Sequence, residues 1–315
     1  LLKHDRMLIN FIGDIHGYAF ELKQLLAKLG YTRSASNGWT CGEGHLVFLG
    51  DLIDRGPEQK ETVEIVRELC DLGHATCLTG NHEFNAVGFV TERVDEPGKY
   101  VRSHTDNHIL QHQGFLDAYA NDAQGYRETL DWFSTLPLWF DNGQARAVHA
   151  CWNPEAKNDL ASLLTDTQSP INRSFYEQTG ITGSRPWEAR ETLLNGLEAR
   201  LPDDVSFKDY YGIKRRRIRV NWWAPQQTTF RDAAVIDDSQ RHIIPDQPMP
   251  DGSPTYEGPL CFFGHYWMRG IPRIQHPQAI CIDYSVALND GALCAYQFRG
   301  EKSAQQEHLV WVNRT

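Results

Sequence analysis

Three short polar segments carry residues that could do chemistry, and each follows directly on a short apolar run. They read Gly13-Asp14-Ile15-His16-Gly17, Gly50-Asp51-Leu52-Ile53-Asp54-Arg55-Gly56 and Gly80-Asn81-His82-Glu83. The apolar runs at 8–12, 45–49 and 75–78 predict buried strands. Open α/β sheets bind ligands at the carboxyl ends of their strands, so we expect the Asp, His and Asn side chains to converge there. Together the segments predict metal-dependent hydrolysis of phosphate esters.

Two isolated histidines extend the pattern. His149 in Val148-His149-Ala150 and His265 in Gly264-His265-Tyr266 again follow apolar runs. In order and in strand-end context, the five blocks resemble the calcineurin-like metallophosphoesterases, whose pattern is GDxHG, GDxxDRG, GNH(E/D) and then two separate histidines. The resemblance covers about residues 7–151 and 259–299. It implies a four-layer sandwich, in which two β-sheets pack face to face with helices outside.

The resemblance also implies a centre for two metal ions about 3.5–4 Å apart, with water between them acidified into the attacking hydroxide. One ion would be held by Asp14, His16 and Asp51. Asp51 would bridge to the second ion, whose other ligands would be Asn81, His149 and His265. A turn, a helix cap or a core role would explain each residue singly, but not all six together. These ligand types admit manganese, which we expect, as well as iron or zinc.

Three further residues would act on the substrate. By the resemblance, His82 would protonate the leaving oxygen as general acid, and Asp54 would orient its ring. Arg55 would bind two phosphoryl oxygens through its planar guanidinium, with a structural salt bridge as the alternative. We therefore expect His82, Asp54 and Arg55 to form the catalytic set.

A basic run at 214–219 gives a weaker signal. The alternation over 217–223 predicts a strand with Arg217 and Arg219 on one face. If that strand borders the site, either arginine could be the second phosphate clamp that protein phosphatases of the resembled family possess. The alternative is a solvated face, which is what most charge runs are.

Two aromatic and histidine patterns have simpler interpretations. Trp222 and Trp223 could stack a base, but a core role is more common for such residues. His104, His108 and His112 recur every four residues and therefore share one helical face. We interpret them as a stripe that lines the pocket or faces solvent, because a stripe converges poorly on one additional metal ion.

Strand-loop-helix units must position the first two segments. After the first segment, leucines recur at helical spacing up to Gly30, and after the second, Pro57 begins a similar helix that ends near Gly73. Two successive units predict parallel strands with right-handed crossovers. Residues 84–135 read as mostly helical, and 138–150 as a hairpin that turns at an Asn-Gly pair and carries one of the isolated histidines.

The rest of the chain completes an α/β fold class. Residues 152–258 mix helical patterns with a loop rich in Pro and Asp, and we expect a helical cap insertion within a single domain over 1–315. Short strands at 279–283, 292–298 and 308–312 predict a second, largely antiparallel sheet. The expected architecture is two packed mixed β-sheets flanked by helices.

Composition limits the partners and the compartment. The formal net charge of −10 argues against a general nucleic-acid binder. Seven cysteines without a C-x-x-C pair predict buried thiols in a reducing cytoplasm, not a disulfide framework or a zinc site. No apolar run is long enough to span a membrane, and residues 1–6 lack the apolar stretch of a signal peptide. We expect a soluble cytoplasmic protein and predict no oligomeric state.

The substrate is expected to be phosphorylated. Asp54-Arg55-Gly56-Pro57 is similar to the branch that holds bacterial protein phosphatases and diadenosine-tetraphosphate hydrolases. Our first choice is a phosphomonoesterase of the serine/threonine protein-phosphatase type, acting on a phosphoprotein. The second is a hydrolase of dinucleoside polyphosphates. An inactive relative that binds a phosphorylated partner is the remote third alternative.

Overall fold

The computed structural model describes residues 8–34, 38–40, 44–170, 173–208, 212, 214–224, 228–249 and 256–315. Its α-helices are α1 (Ala19–Lys28), α2 (Gln59–Asp71), α3 (Asn81–Val90), α4 (Asp106–Ala118), α5 (Ala123–Phe133), α6 (Pro154–Leu160), α7 (Arg173–Thr179), α8 (Arg185–Asn195) and α9 (Phe230–Ala233). Its strands are β1 (Ile9–Ile12), β2 (Thr32–Ser34), β3 (Gly38–Thr40), β4 (His45–Phe48), β5 (Ala75–Cys77), β6 (Trp139–Asp141), β7 (Ala145–Val148), β8 (Glu198–Arg200), β9 (Phe207–Lys208), β10 (Lys214–Arg215), β11 (Arg217–Arg219), β12 (Leu260–Phe263), β13 (Ala279–Cys281), β14 (Asp283–Tyr284), β15 (Ala292–Phe298) and β16 (Leu309–Asn313). Single 3-10 turns lie at Ala161–Leu163, Arg241–Ile243 and Gln306–His308.

The larger sheet runs in the order β14-β15-β1-β4-β5, and β16 pairs with β15. Its strands β1, β4 and β5 are parallel, whereas β15 lies antiparallel to β1. Helix α1 follows β1 and buries Leu22, Leu25 and Leu26, and α2 follows β4 in the same way. Each helix is followed by a glycine with positive φ, 85° at Gly30 and 74° at Gly73, which is a conformation that glycine adopts readily. The predicted strand-loop-helix units are thus present.

The smaller sheet runs in the order β13-β12-β7-β6. Strands β7, β12 and β13 are parallel, and β6 and β7 form an antiparallel hairpin. In its turn, Asn142 Oδ1 accepts the backbone N–H groups of Gln144 and Ala145, and Gly143 has a φ of 80°. The predicted hairpin is therefore present, with its Asn-Gly pair in the turn.

The C-terminal strands differ from the prediction. Only 279–281 reaches the smaller sheet, as β13, whereas β14, β15 and β16 extend the larger sheet beside β1. The expected antiparallel sheet made of these tail strands is wrong. Strand β15 is almost wholly buried, and its neighbour β1 lies at the other end of the chain. Packing decides such a pairing, and the local sequence pattern does not encode it.

The two sheets pack face to face around an apolar layer. Phe11 of β1 stacks on Phe262 of β12 with ring centroids 4.1 Å apart, and Val47, Ala147 and Ile280 lie in the same layer. A second core joins the outer faces of both sheets to the surrounding helices. The fold class of two packed mixed sheets flanked by helices is confirmed.

The described parts of 152–258 lie partly on the outer face of the smaller sheet. Helices α6 and α8 contact each other, and a small core around Ile218, Val220 and Phe230 joins β8, β11 and α9. Trp222 Nε1 donates to the carbonyl of Ala150 at 3.0 Å, which attaches this region beside the end of β7. Its function as a cap within a single domain stays a prediction.

The thiols in the described ranges are buried, apart from the half-buried Cys70, and none of them is in a disulfide. Burial raises the pKa of Cys70 to about 12, so this thiol is unreactive near neutral pH. Cys41 lies outside the described residues. Among the helices of the described ranges, none has the length and apolar character needed to cross a membrane.

Candidate active site

Five strand ends meet at one edge of the sandwich. In the larger sheet β1, β4 and β5 end shortly before Asp14, Asp51 and Asn81, and in the smaller sheet β7 and β12 end shortly before His149 and His265. Both sheets therefore contribute to one cluster. It contains all of the predicted ligands, of which all but Asn81 are buried: Asp14, His16, Asp51, Asn81, His149 and His265.

Four residues of the site have a left-handed backbone. The φ angle is 52° at His16, 54° at Asp51, 73° at Asp54 and 70° at His265. This conformation costs a residue with a side chain about 1–2 kcal/mol and persists where neighbouring contacts hold it. Here the Asp51 carbonyl accepts the N–H of His16 at 2.8 Å, and the N–H of Asp54 donates to Gln59 Oε1 at 2.8 Å.

Glu83 is a buried carboxylate whose role the sequence interpretation missed. Its oxygens accept the backbone N–H groups of Asp51 and Leu52 at 2.8 Å and of Gly80 at 2.9 Å. Burial and the charge of Asp51 raise the pKa of Glu83 to about 7. Glu83 therefore ties the second polar segment to the start of α3, and its place at the end of the third segment was the available signal.

Asp51 lies at the centre of the cluster. Its Oδ2 is 3.7 Å from Nε2 of His16 and 3.8 Å from Nε2 of His82, and its Oδ1 is 3.4 Å from Nε2 of His149. Two groups of possible metal ligands result, one with His16 and His82 and the other with His149 and His265. Asp51 belongs to both groups, which is the arrangement that a bridging carboxylate requires.

Asn81 and Asp14 complete the cluster. Asn81 Oδ1 accepts from Nε2 of His149 at 3.0 Å and from Nδ1 of His265 at 2.9 Å. Asp14 Oδ2 accepts the backbone N–H of His265 at 3.0 Å. This last contact joins the end of β1 to the end of β12, so the ligands from the two sheets are held directly against each other.

Three buried atoms of the cluster have no hydrogen-bond partner among the described residues: Asp14 Oδ1, His16 Nε2 and His265 Nε2. An unpaired buried polar atom costs about 1–3 kcal/mol, so atoms of this kind gathered in one place fit a bound cation. Burial, followed by the charge of Arg55, lowers the pKa of His16 to about 3, and burial also lowers that of His265. Both rings are therefore neutral, as metal ligation needs.

The buried charges also fit cations. Burial raises the pKa of Asp14, and the charge of nearby Asp283 adds to the effect. Burial opposes ionisation of Asp51 as well, but His149, His82 and His16 together outweigh it and hold the pKa of Asp51 well below its usual range. Burial lowers the pKa of His149, yet Asp51 and Asp14 raise it to about 10. The cluster thus favours positive charge, which two divalent ions would supply.

The predicted acid pair is formed beside this cluster. Nδ1 of His82 donates to Oδ2 of Asp54 at 2.7 Å. Burial disfavours the Asp54 carboxylate, but hydrogen bonds from two histidines, His112 and His82, outweigh burial and lower its pKa to about 2. Because an ionised carboxylate only accepts, Nδ1 of His82 is assigned a hydrogen, and Nε2 is the atom that faces Asp51.

Arg55 lies at the exposed rim of the site. Its guanidinium carbon is 4.2 Å from the centroid of the Trp267 ring. Trp267 is half-buried with a φ of 53°, and its N–H donates to Asp283 Oδ2 at 2.8 Å. The aromatic face thus holds the planar guanidinium next to the cluster. The sequence interpretation did not include Trp267, and its closeness to His265 was the only signal.

The two arginines of β11 differ in position. Nη1 of Arg219 donates to the carbonyl of His265 at 3.2 Å, so this half-buried side chain reaches the edge of the cluster. Arg217 is exposed, and its Nε donates to Glu198 Oε2 at 2.8 Å. Of the two candidates for a second phosphate clamp, the geometry favours Arg219.

The two tryptophans and the three histidines of the predicted stripe also occupy different surroundings. Trp222 and Trp223 are buried in the core, as expected. His104 Nε2 donates to the carbonyl of Phe89 at 2.8 Å, and His108 Nδ1 to that of Ser103 at 2.9 Å. These two histidines of the predicted stripe therefore form hydrogen bonds with nearby backbone carbonyls. The third member of the stripe, His112, is the one that reaches Asp54, a role that helical spacing alone did not indicate.

Comparisons with known proteins agree with this geometry. The profile of the calcineurin-like phosphoesterase family matches residues 7–227. A symmetrical bis(5'-nucleosyl)-tetraphosphatase from Vibrio campbellii is 26% identical over 272 residues, which are 82% of this chain and 85% of the relative. An asymmetrical bis(5'-nucleosyl)-tetraphosphatase from a Geobacillus species is 42% identical over 76 residues, 24% of this chain and 31% of that relative.

A solved structure shares the fold. A protein serine/threonine phosphatase from Saccharomyces cerevisiae superposes with a TM-score of 0.52 at 13% identity, over 98% of this chain and 80% of that one. The family profile covers most of the chain and includes the first three polar segments and His149. The chain therefore belongs to the calcineurin-like phosphoesterase family and is a hydrolase of phosphate esters.

Proposed function

We propose that the protein hydrolyses dinucleoside polyphosphates at a centre of two divalent metal ions, with phosphate monoesters as the second candidate substrate class. The reaction type rests on one observation: two groups of possible ligands share Asp51, and the His82–Asp54 pair lies beside them. The substrate class is supported by relatives named as symmetrical bis(5'-nucleosyl)-tetraphosphatases, matched over 82% of this chain. On this support we rank the two substrate classes in the opposite order to the one that the sequence favoured.

Each ion would have ligands from the cluster. Asp14, His16 and Asp51 would hold the first, and Asp51 would share the second with Asn81, His149 and His265. Manganese is the metal we propose, and the donor set also suits iron or zinc. When bound, such ions neutralise phosphoryl oxygens and acidify water for in-line attack.

The chain's own groups bind the substrate and move the proton. Arg55 donates two hydrogen bonds to phosphoryl oxygens, while Trp267 keeps the guanidinium plane in place. His82 acts in its doubly protonated form: it transfers the Nε2 proton to the leaving oxygen and becomes neutral, while Asp54 accepts the Nδ1 hydrogen before and after the transfer so that the ring stays turned toward the site. Arg219 binds a further phosphate oxygen, as the second clamp.

The acid pair is also the reason to keep phosphate monoesters as a candidate. An alkoxide leaving group such as that of phosphoserine needs a proton in the transition state. A nucleoside diphosphate leaves as a stabilised anion and needs it much less. In the structure, Nδ1 of His82 and Oδ2 of Asp54 lie at hydrogen-bonding distance. Such a pair is more necessary for the hydrolysis of monoesters than for that of anhydrides.

A substrate panel tests the proposal. Protein reconstituted with manganese is assayed with diadenosine tetraphosphate, a phosphopeptide, an aryl phosphate and a cyclic-nucleotide diester. We expect the highest kcat/KM with diadenosine tetraphosphate and ADP as its only product. A higher kcat/KM with the phosphopeptide would establish the second class instead. Two bound metal ions with no turnover of any substrate would refute both and favour a phosphate-binding protein.

A pair of variants controls the assay. Asp51→Asn should lose both metal content and turnover, because each ion loses its shared anionic oxygen. Asp131→Asn makes the same chemical change at an exposed position of α5 and should leave both unchanged. Metal content by elemental analysis, with anomalous scattering from crystals, locates the ions. Wild-type turnover in Asp51→Asn would show that the bridging role is wrong.

A further inference from the structure

Asp54 accepts hydrogen bonds from two histidines and not from one. Oδ2 accepts from Nδ1 of His82 and Oδ1 from Nδ1 of His112, both at 2.7 Å. His112 lies on α4, is 5% exposed and stacks on Phe115 with ring centroids 5.1 Å apart. Its Nε2 has no partner among the described residues. The hydrogen bond to Asp54 is therefore the polar contact that accounts for a buried imidazole here.

We propose that His112 is a positioning residue for the general acid: it fixes the Asp54 carboxylate so that His82 is held in one orientation and one tautomer. This inference rests on the proposed function, in which His82 protonates the leaving oxygen. His112 acts only through Asp54 and does not touch the substrate.

The geometry explains why a second donor is needed. The N–H of Asp54 is anchored to Gln59, but its carboxylate could still rotate about its side-chain bonds if one oxygen were free. With His82 and His112 on its two oxygens, the carboxylate plane is held at both ends. Because both rings donate through Nδ1, Asp54 remains an acceptor on both sides, and His82 cannot exchange the roles of its two nitrogens without losing the bond.

Two substitutions separate this role from simple packing. His112→Phe keeps the ring volume and the apolar contacts but removes the donor. His112→Asn is smaller, yet its amide nitrogen can occupy the place of Nδ1 and donate to Asp54. We expect kcat for a phosphate ester with an alkyl leaving group to fall about 10- to 100-fold in His112→Phe and to recover largely in His112→Asn. His108→Phe, on the same helix but outside this contact, is the matched control and should keep wild-type kcat.

A double variant provides the second test. If His112 acts through the acid, His82→Ala combined with His112→Phe should be no slower than His82→Ala alone, because the acid is already lost. The loss in His112→Phe should also be smaller for an aryl than for an alkyl leaving group. Independent losses that multiply, or equal losses in His112→Phe and His112→Asn, would overturn the proposal and leave His112 a packing residue.

A spectroscopic measurement does not depend on turnover. In nitrogen-15 spectra of labelled protein, the Nδ1 hydrogen of His82 should exchange slowly with water in the wild type and in His112→Asn, and faster in His112→Phe. Equal exchange in all three would overturn the positioning role. Absence of hydrolysis by wild-type protein would instead refute the proposed function, and the exchange data would still decide whether His112 orders the pair.

Discussion

Gly264 lies where a single methyl group should disable the metal centre. A Cβ added at this position would overlap Oδ1 of Asp14 and lie 3.0 Å from Cγ and 3.4 Å from Oδ2 of the same side chain. Oδ1 is one of the buried atoms without a hydrogen-bond partner among the described residues, and so the oxygen best suited to ligation. The backbone of Gly264 has no left-handed φ, so alanine is excluded by the carboxylate and not by the main chain.

The expected effect of Gly264→Ala follows from this overlap. Asp14 must retreat by about 1 Å, a misplacement that typically costs on the order of 100-fold in rate, or about 2.7 kcal/mol of transition-state stabilisation. Metal affinity should fall about 10- to 100-fold, as it does when the support of a ligand is lost. Manganese binding to metal-free protein by isothermal titration calorimetry and kcat at saturating metal measure the two effects separately.

A matched control keeps this test specific. Gly114→Ala, on the exposed face of α4, places its Cβ 3.6 Å from Gln59 Nε2, which is an ordinary contact, and should change neither quantity. If Gly264→Ala folds, binds manganese with wild-type affinity and keeps wild-type kcat, then Asp14 is not a ligand and the reasoning from its free oxygen is wrong.

The remaining predictions concern the acid pair and the phosphate clamp. His82→Ala should lower kcat about 10²- to 10⁴-fold for an alkyl phosphate, with metal content intact and a smaller loss for diadenosine tetraphosphate; equal losses would make His82 a structural residue. Arg55→Lys keeps the charge but loses the two-pronged contact with the phosphoryl group and the flat stack on Trp267. We therefore expect kcat/KM to fall about 10- to 100-fold. An unchanged kcat/KM would show that Arg55 does not belong to the site. The pKa of Asp54 is about 2, below the 3.8 of an unfolded aspartate, so its contribution to stability is present above pH 3.8 and lost as pH falls toward 2. Over that pH interval, the free energy of unfolding, measured with denaturant on metal-free protein, should fall by about 2 kcal/mol more in the wild type than in Asp54→Asn. Parallel pH profiles of the two proteins would contradict an ionised Asp54 in the folded state.

The clustering of the proposed ligands could be predicted because each lies within a few residues of a strand's end, and strand ends are visible as apolar runs. The hairpin before His149 could also be predicted, because an Asn-Gly pair specifies its turn. The placement of β15 in the larger sheet could not be predicted. Both faces of this strand are buried, so its sequence lacks the alternation of apolar and polar residues that would have indicated its partner.

Side-chain partners were harder to predict than strand ends. Arg217 and Arg219 share one face of β11, but only the structure shows that the first is taken by Glu198 and the second reaches His265. Helical spacing put His112 on a face, yet which histidine of that face meets Asp54 depends on how α4 packs against α2. Residue type gives only a weak signal for the left-handed φ angles at Asp51 and His265, because Asp and His adopt this conformation more often than most residues but far less readily than glycine.

The division of the proposed ligands between two sheets would affect how the protein matures. Asp14 and His265 are 251 residues apart in sequence, and their contact closes almost the whole chain into a loop. Ions held by both residues would cross-link the chain and restrict its unfolded state, as a disulfide does. For so long a loop, the gain in folding stability would be on the order of several kcal/mol. A nascent chain that has reached residue 227, the end of the family match, still lacks His265. If the proposed ligands bind the ions, full metal loading has to follow the synthesis of residue 265, and a loaded centre would report that both halves of the sandwich have closed.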